Sequence, residues 1–148
     1  MIANTSGYFI TGLFYRLQND FESAERYYLE AQNAWLTGDQ TRLHPFNGGC
    51  MYNLGVSCLL QGKVEAAIKH LRDSLEVTRF YRNSRPAEHA HNLFKLSEAL
   101  LQDAHDGSAE EASALWDEAQ RYLKMRDPDA AEGSTDSVYN SLVSINWR

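Results

Sequence analysis

Residues 51–71 read MYNLGVSCLLQGKVEAAIKHL, and this stretch decides the fold. Met51, Leu54, Gly55 and Cys58 stand three, one and three residues apart, which places them on one face of a helix. Gln61 and Gly62 break the pattern. Ala67, Leu71 and Ser74 resume it on a second helix. Two antiparallel helices joined by a short turn approach closely only where side chains are small, so Gly55 is expected to face Ala67.

The same pattern appears on both sides. The first-helix pattern reads Tyr8, Thr11, Gly12 and Tyr15 upstream, and Leu93, Leu96, Ser97 and Leu100 downstream. The second-helix pattern reads Ala24, Tyr28 and Ala31, then Ala112, Trp116 and Ala119. Gly12, Gly55 and Ser97 lie 43 and 42 residues apart. Twelve residues separate Gly12 from Ala24 and Gly55 from Ala67, against fifteen from Ser97 to Ala112. The third turn therefore carries a three-residue insertion around 103–108. With breaks at 19–20, 38–45, 61–62, 84–86, 106–107 and 127–133, helices are expected over 5–18, 21–37, 48–61, 64–82, 87–104, 109–125 and 135–146.

One hairpin cannot bury its apolar face alone, so stacked neighbours must make the core. The reading is one all-α domain over 1–148, with repeats at about 5–37, 48–82 and 87–125. Ser134, Thr135 and Asp136 are cap-type residues. Val138, Leu142 and Ile145 form one stripe behind them, which predicts a capping helix over the third hairpin. Helix one offers Phe9, Ile10, Leu13, Phe14 and Leu17 on several faces and has no such cap, so self-association through it is expected.

Composition narrows the function. A chain of 148 residues makes one domain and needs no covalent staple. With 9 glycines and 3 prolines there are few breakers for a many-turned all-β fold. A net charge of −6 disfavours nucleic acid, whose binders present a basic face. Cys50 and Cys58 are eight apart on one helix, about 12 Å, too far for a disulfide. They read as small buried hydrophobes in a reducing compartment, so a cytoplasmic location is expected. Residues 7–15 are apolar without a basic leader, and no run reaches the roughly 20 apolar residues that cross a bilayer.

Catalytic and metal motifs are absent. His44, His70, His89, His91 and His105 stand outside metal-ligand spacings, and His89 and His91 point to different sides of a helix. No cofactor is expected. Glu110 and Glu111, with Asp117 and Glu118, read as a solvated helix face. Arg79, Arg82 and Arg85 close helix four, where cations favour the helix dipole. An anion site is the alternative there.

The repeat pattern resembles the tetratricopeptide repeat, W-x2-L-G-x2-Y…A-x3-F. The 42-residue period, His44 followed by Pro45, and Asn53, Leu54 and Gly55 in succession are similar to repeats of the kinesin light chain type. The chain also resembles repeat arrays at the C-termini of fungal NACHT and NB-ARC receptors. No repeat has Trp in the first large slot, and Pro86 and Pro128 fall later than the family's closing proline.

The resemblance implies a right-handed superhelix whose first helices line a concave groove. On the face away from the small slots this groove would hold Phe9, Leu13 and Arg16; Tyr52, Asn53, Val56 and Leu59; and His91, Phe94, Lys95 and Glu98. Asn53 and Lys95 match positions that hold a ligand's backbone or carboxylate, and are expected to be partly exposed. The family's chaperone-tail clamp is incomplete, because Phe9 and Leu13 occupy its first-repeat places. An apolar peptide or amphipathic helix suits the groove better. The implied function is a non-catalytic protein–protein interaction module. Three alternatives stay open: a small helical enzyme or ligand-binding protein using the groove as a pocket, a terminal sensor segment of a larger receptor, and aromatics that merely pack on one another.

Overall fold

The computed structural model describes residues 4–38, 41–130 and 136–148. It is 78% helical, with no strand among the described residues. Three antiparallel hairpins follow in order: α1 (Thr5–Leu17) with α2 (Phe21–Thr37), α3 (Pro45–Leu60) with α4 (Val64–Phe80), and α5 (Pro86–Leu101) with α6 (Ser108–Arg126). The second helix of each hairpin packs on the first helix of the next, α2 on α3 and α4 on α5. No helix among the described residues is long and apolar enough to cross a membrane.

The three turns share one device. Asn19, Gly62 and Gly107 have φ of 62°, 78° and 86°, and each stands five residues before the small residue Ala24, Ala67 or Ala112. Asn19 and Gly62 directly follow the C-caps of α1 and α3 and send the chain back, whereas Gly107 is the N-cap of α6; Gly and Asn are the residues that tolerate this conformation. The insertion in the third turn thus leaves the αL position in register with the second helix. Asp20 then caps α2 by accepting from the Ser23 amide at 3.1 Å.

The close approach in the first two hairpins involves a further residue beyond the expected alanine. A Cβ on Gly12 would lie 3.0 Å from the Tyr28 ring, and one on Gly55 would lie 2.6 Å from Leu71. That Cβ would also lie 3.3 Å from the Ala67 carbonyl oxygen, so Gly55 does face Ala67, with Leu71 nearer still. The glycine therefore makes room first for the large residue of the opposite pattern. Ala24, Tyr28, Ala67 and Leu71 are all fully buried.

Helix α3 starts at Pro45 instead of 48, because His44 accepts from the Phe46 amide at 3.0 Å and proline suits a first helical position. The larger correction concerns the C-terminal segment. In place of one helix over 135–146, α7 (Asp136–Ser141) stops after six residues and a 3-10 turn (Ile145–Trp147) follows. Ser134 and Thr135, expected as caps, and linker residues 131–133 lie outside the described residues. Tyr139, Val143 and Trp147 are the buried residues; Val138 and Leu142 of the expected stripe pack partly buried against the core, while Ile145 is exposed. The segment covers α5 and then crosses to α3.

Candidate partner-binding site

Helices α3 and α5 present Tyr52, Asn53 and Val56 beside His91, Phe94 and Lys95. All six face the chain's own residues 136–148. Asn53 is fully buried, contrary to the expectation of partial exposure. Its amide donates to the Gly49 carbonyl at 2.8 Å and to the Asn146 carbonyl at 2.7 Å. Its oxygen accepts from Arg16 at 2.5 Å. Every polar capacity of this side chain that burial would otherwise penalise finds a partner.

His91 is also fully buried, where a surface or open-groove position was expected. A carbonyl only accepts, so Nδ1 donates to the Trp147 oxygen, 2.5 Å away. The Tyr52 hydroxyl and the Asp136 carboxylate flank the ring, the latter at 3.4 Å. Burial pushes the His91 imidazole below its ordinary value, with the neighbouring carboxylate opposing. Lys95 keeps some exposure and pairs with Asp136 at 2.7 Å and Glu98 at 3.0 Å. The His91 ring and then the Lys95 ammonium hold the Asp136 carboxyl far below the usual range.

Apolar contacts alternate with these polar ones. Tyr139 stacks on Phe94 with centroids 4.5 Å apart, and its hydroxyl accepts from Gln120 at 2.6 Å. Val143 and Trp147 join Tyr52, Val56 and Ala87 in one buried cluster. The Trp147 indole meets Tyr52 edge-on at 5.7 Å. It also covers Gly48, where a Cβ would stand 3.3 Å from the indole and 2.9 Å from Val77.

The first repeat contributes differently. Phe9 is turned into the core, 5.3 Å from the Tyr28 ring and 5.5 Å from Phe46. Leu13 is half-buried in an open cleft of about 440 Å³ that it shares with Arg16, Leu17, Leu60, Ile145 and Arg148. Sequence reasoning picked out the helix residues but missed their occupant. The available signal was Tyr139, Val143 and Trp147, spaced four and four apart, beside the stripe of Val138, Leu142 and Ile145.

The remaining candidates resolve into structure. Arg79 pairs with Glu118 at 3.2 Å and Arg72 with Glu111 at 2.6 Å, both reaching from α4 to α6. Arg82 donates to the Arg79 carbonyl at the end of α4. His89 meets Thr78 at 2.9 Å, and burial, with Arg79 and Arg82 nearby, pulls it down to about 4. Burial raises both thiols, Cys58 to about 11, so neither has thiolate character.

Residues 11–79 match the family model of the tetratricopeptide repeat. Comparison with curated proteins and with solved structures found no match. The matched span runs from α1 to the end of α4, and the third hairpin repeats its architecture with the same turn residue and the same small position. Tetratricopeptide repeats generally mediate protein–protein interaction. Over residues 11–79 the chain carries the tetratricopeptide repeat.

Proposed function

We propose that the concave face binds a peptide or partner helix, without catalysis, through Tyr52, Asn53, Val56, His91, Phe94 and Lys95, with Leu13 and Phe9 at its first-repeat end. One observation carries this reading. Asn53 and His91 take two successive main-chain carbonyls, of Asn146 and Trp147, while Lys95 takes a carboxylate. Side chains that read backbone and charge are the apparatus of peptide recognition, and the buried rings between them supply affinity. The test is affinity capture from native extract with the intact chain, Lys95→Glu, and the outer-face control Arg121→Glu. A partner lost only with Lys95→Glu supports the groove. A partner retained by Lys95→Glu and lost with the control sinks it.

A second contact is self-association through α1. Phe14, Ser57 and Ala99 occupy one repeat position, 43 and 42 residues apart. Ser57 and Ala99 are fully buried, yet Phe14 is 55% exposed, with Ile10 and Leu17 beside it at four and three residues. The face that a neighbouring helix covers in later repeats is thus open and apolar on α1. Sedimentation should find an oligomer that Phe14→Glu dissociates. A monomer at high concentration would remove this contact.

A further inference from the structure

We propose that residues 136–148 are a displaceable occupant of the groove, and that its external ligand is a peptide bearing the same anchors. Those anchors are a carboxylate for Lys95, an aromatic ring three residues on for Phe94, and a second ring for the Gly48 and Gly49 floor. The proposal rests on the groove reading above and adds what fills the groove and how access is gated.

Four observations lead there. First, the contacts are those of a ligand. Helix side chains take the carbonyls of Asn146 and Trp147, and Lys95 takes the carboxylate of Asp136, as they would take those groups of an external peptide. Second, α7 has six residues, far below the roughly 12–15 at which a helix becomes marginal on its own in water. The groove therefore imposes the segment's structure. Third, nine positions in sequence, 127–135, separate α6 from α7, and a chain of nine residues reaches at most about 30 Å. The segment can leave without unfolding α6. Fourth, its departure would uncover Tyr52, Val56, Ala87 and Phe94 as one apolar strip flanked by Asn53, His91 and Lys95. Residue for residue, that strip is a peptide groove.

Tethering sets the threshold. A short linker holds the segment at an effective concentration of about millimolar. Weak intrinsic affinity thus keeps the groove closed to a free peptide of equal affinity. A partner enters by binding more tightly, or when the ion pair between Asp136 and Lys95 is broken.

The experiment measures fluorescence anisotropy of two labelled peptides: DSVYNSLVSINWR, residues 136–148, and the same peptide with Asp136→Lys. The hosts are the full chain, its Lys95→Glu variant, and the double variant Lys95→Glu with Asp136→Lys. The unaltered chain should bind both peptides poorly. Lys95→Glu should bind the Asp136→Lys peptide at least tenfold more tightly than the unaltered one. The double variant, with its own segment matched again, should return to poor binding. If Lys95→Glu does not fold, Trp147→Ala takes its place and should bind the unaltered peptide at least tenfold more tightly than the unaltered chain does. A folded variant that binds neither peptide makes the segment a fixed part of the fold and overturns the proposal. So does loss of folding in both variants, or ready binding by the unaltered chain. Peptide exchange without any captured cellular partner would instead leave this gating intact and sink the reading of the groove as an external docking site.

Discussion

The side-chain amide of Asn53 donates to the carbonyl of Asn146, 93 residues further along the chain, at 2.7 Å. One bond thus joins the middle of the repeat array to its last turn. The same side chain holds Arg16 through its oxygen, so α1, α3 and the C-terminal segment meet on one residue.

Asn53→Ala should therefore destabilise the fold. It leaves the Asn146 carbonyl and the Arg16 guanidinium without this partner, and an unpaired buried group costs about 1–3 kcal/mol. Urea unfolding followed by circular dichroism should show a lower midpoint at unchanged slope. An unchanged midpoint would mean that water replaces the amide at no loss.

Three glycines separate packing from backbone effects. Gly55→Ala drives a methyl to 2.6 Å from Leu71 and should lose about 1–3 kcal/mol. Gly62→Ala meets nothing within 4 Å but sits at φ 78°, so about 1–2 kcal/mol of backbone strain acts alone. Gly7→Ala, inside α1 with open space around it, should gain about 0.5–1 kcal/mol. Thermal denaturation that fails to rank Gly7→Ala above the unaltered chain, and both others below it, would contradict these assignments.

Acid should weaken the fold through His89. Its folded value, about 4, lies below the unfolded 6.5, so the unfolded chain takes up the proton first as pH falls. The stability this neutral, fully buried ring supports is complete above pH 6.5 and drains away between 6.5 and 4. The effect is of order 1–3 kcal/mol. Arg79 and Arg82 add to it, Glu118 stands 4.0 Å away, and the burial of His91 acts in the same direction. Urea midpoints at pH 7.5 and 5 should differ, and His89→Gln should narrow the gap. Equal gaps in both proteins would assign the pH dependence elsewhere.

The hairpins were legible because local rules repeat: a turn residue five before a small one, then a large one, which in the first two hairpins packs on the facing glycine. The turn at Asn19 carries the same code as Gly62 and Gly107 with a different residue. The C-terminal segment was not legible in this way. Val138 and Leu142 of the expected stripe adjoin Tyr139, Val143 and Trp147, which are buried more deeply on the same short stretch. Periodicity cannot rank them, because the choice is made by Phe94, Tyr52 and Gly48, far away in sequence. The burial of Asn53 and His91 follows from that same long-range choice.

If the segment is the least stable unit of the fold, native-state hydrogen exchange should find it. The amides of Leu142, Val143, Trp147 and Arg148 bond within the segment, to Tyr139, Asn140, Ser144 and Ile145, at 2.9–3.4 Å. They should exchange through one shared opening, at a lower free energy than the α3 amides around Leu54. Asp136→Asn weakens the pairing with Lys95. Asp136 is 39% exposed, so solvent screening limits the loss to about 1 kcal/mol, roughly a fivefold faster exchange. The acceleration should be confined to 136–148, with α3 and α4 unchanged. Exchange of the segment at the same free energy as α3 would show that the groove and its occupant open only with the whole domain.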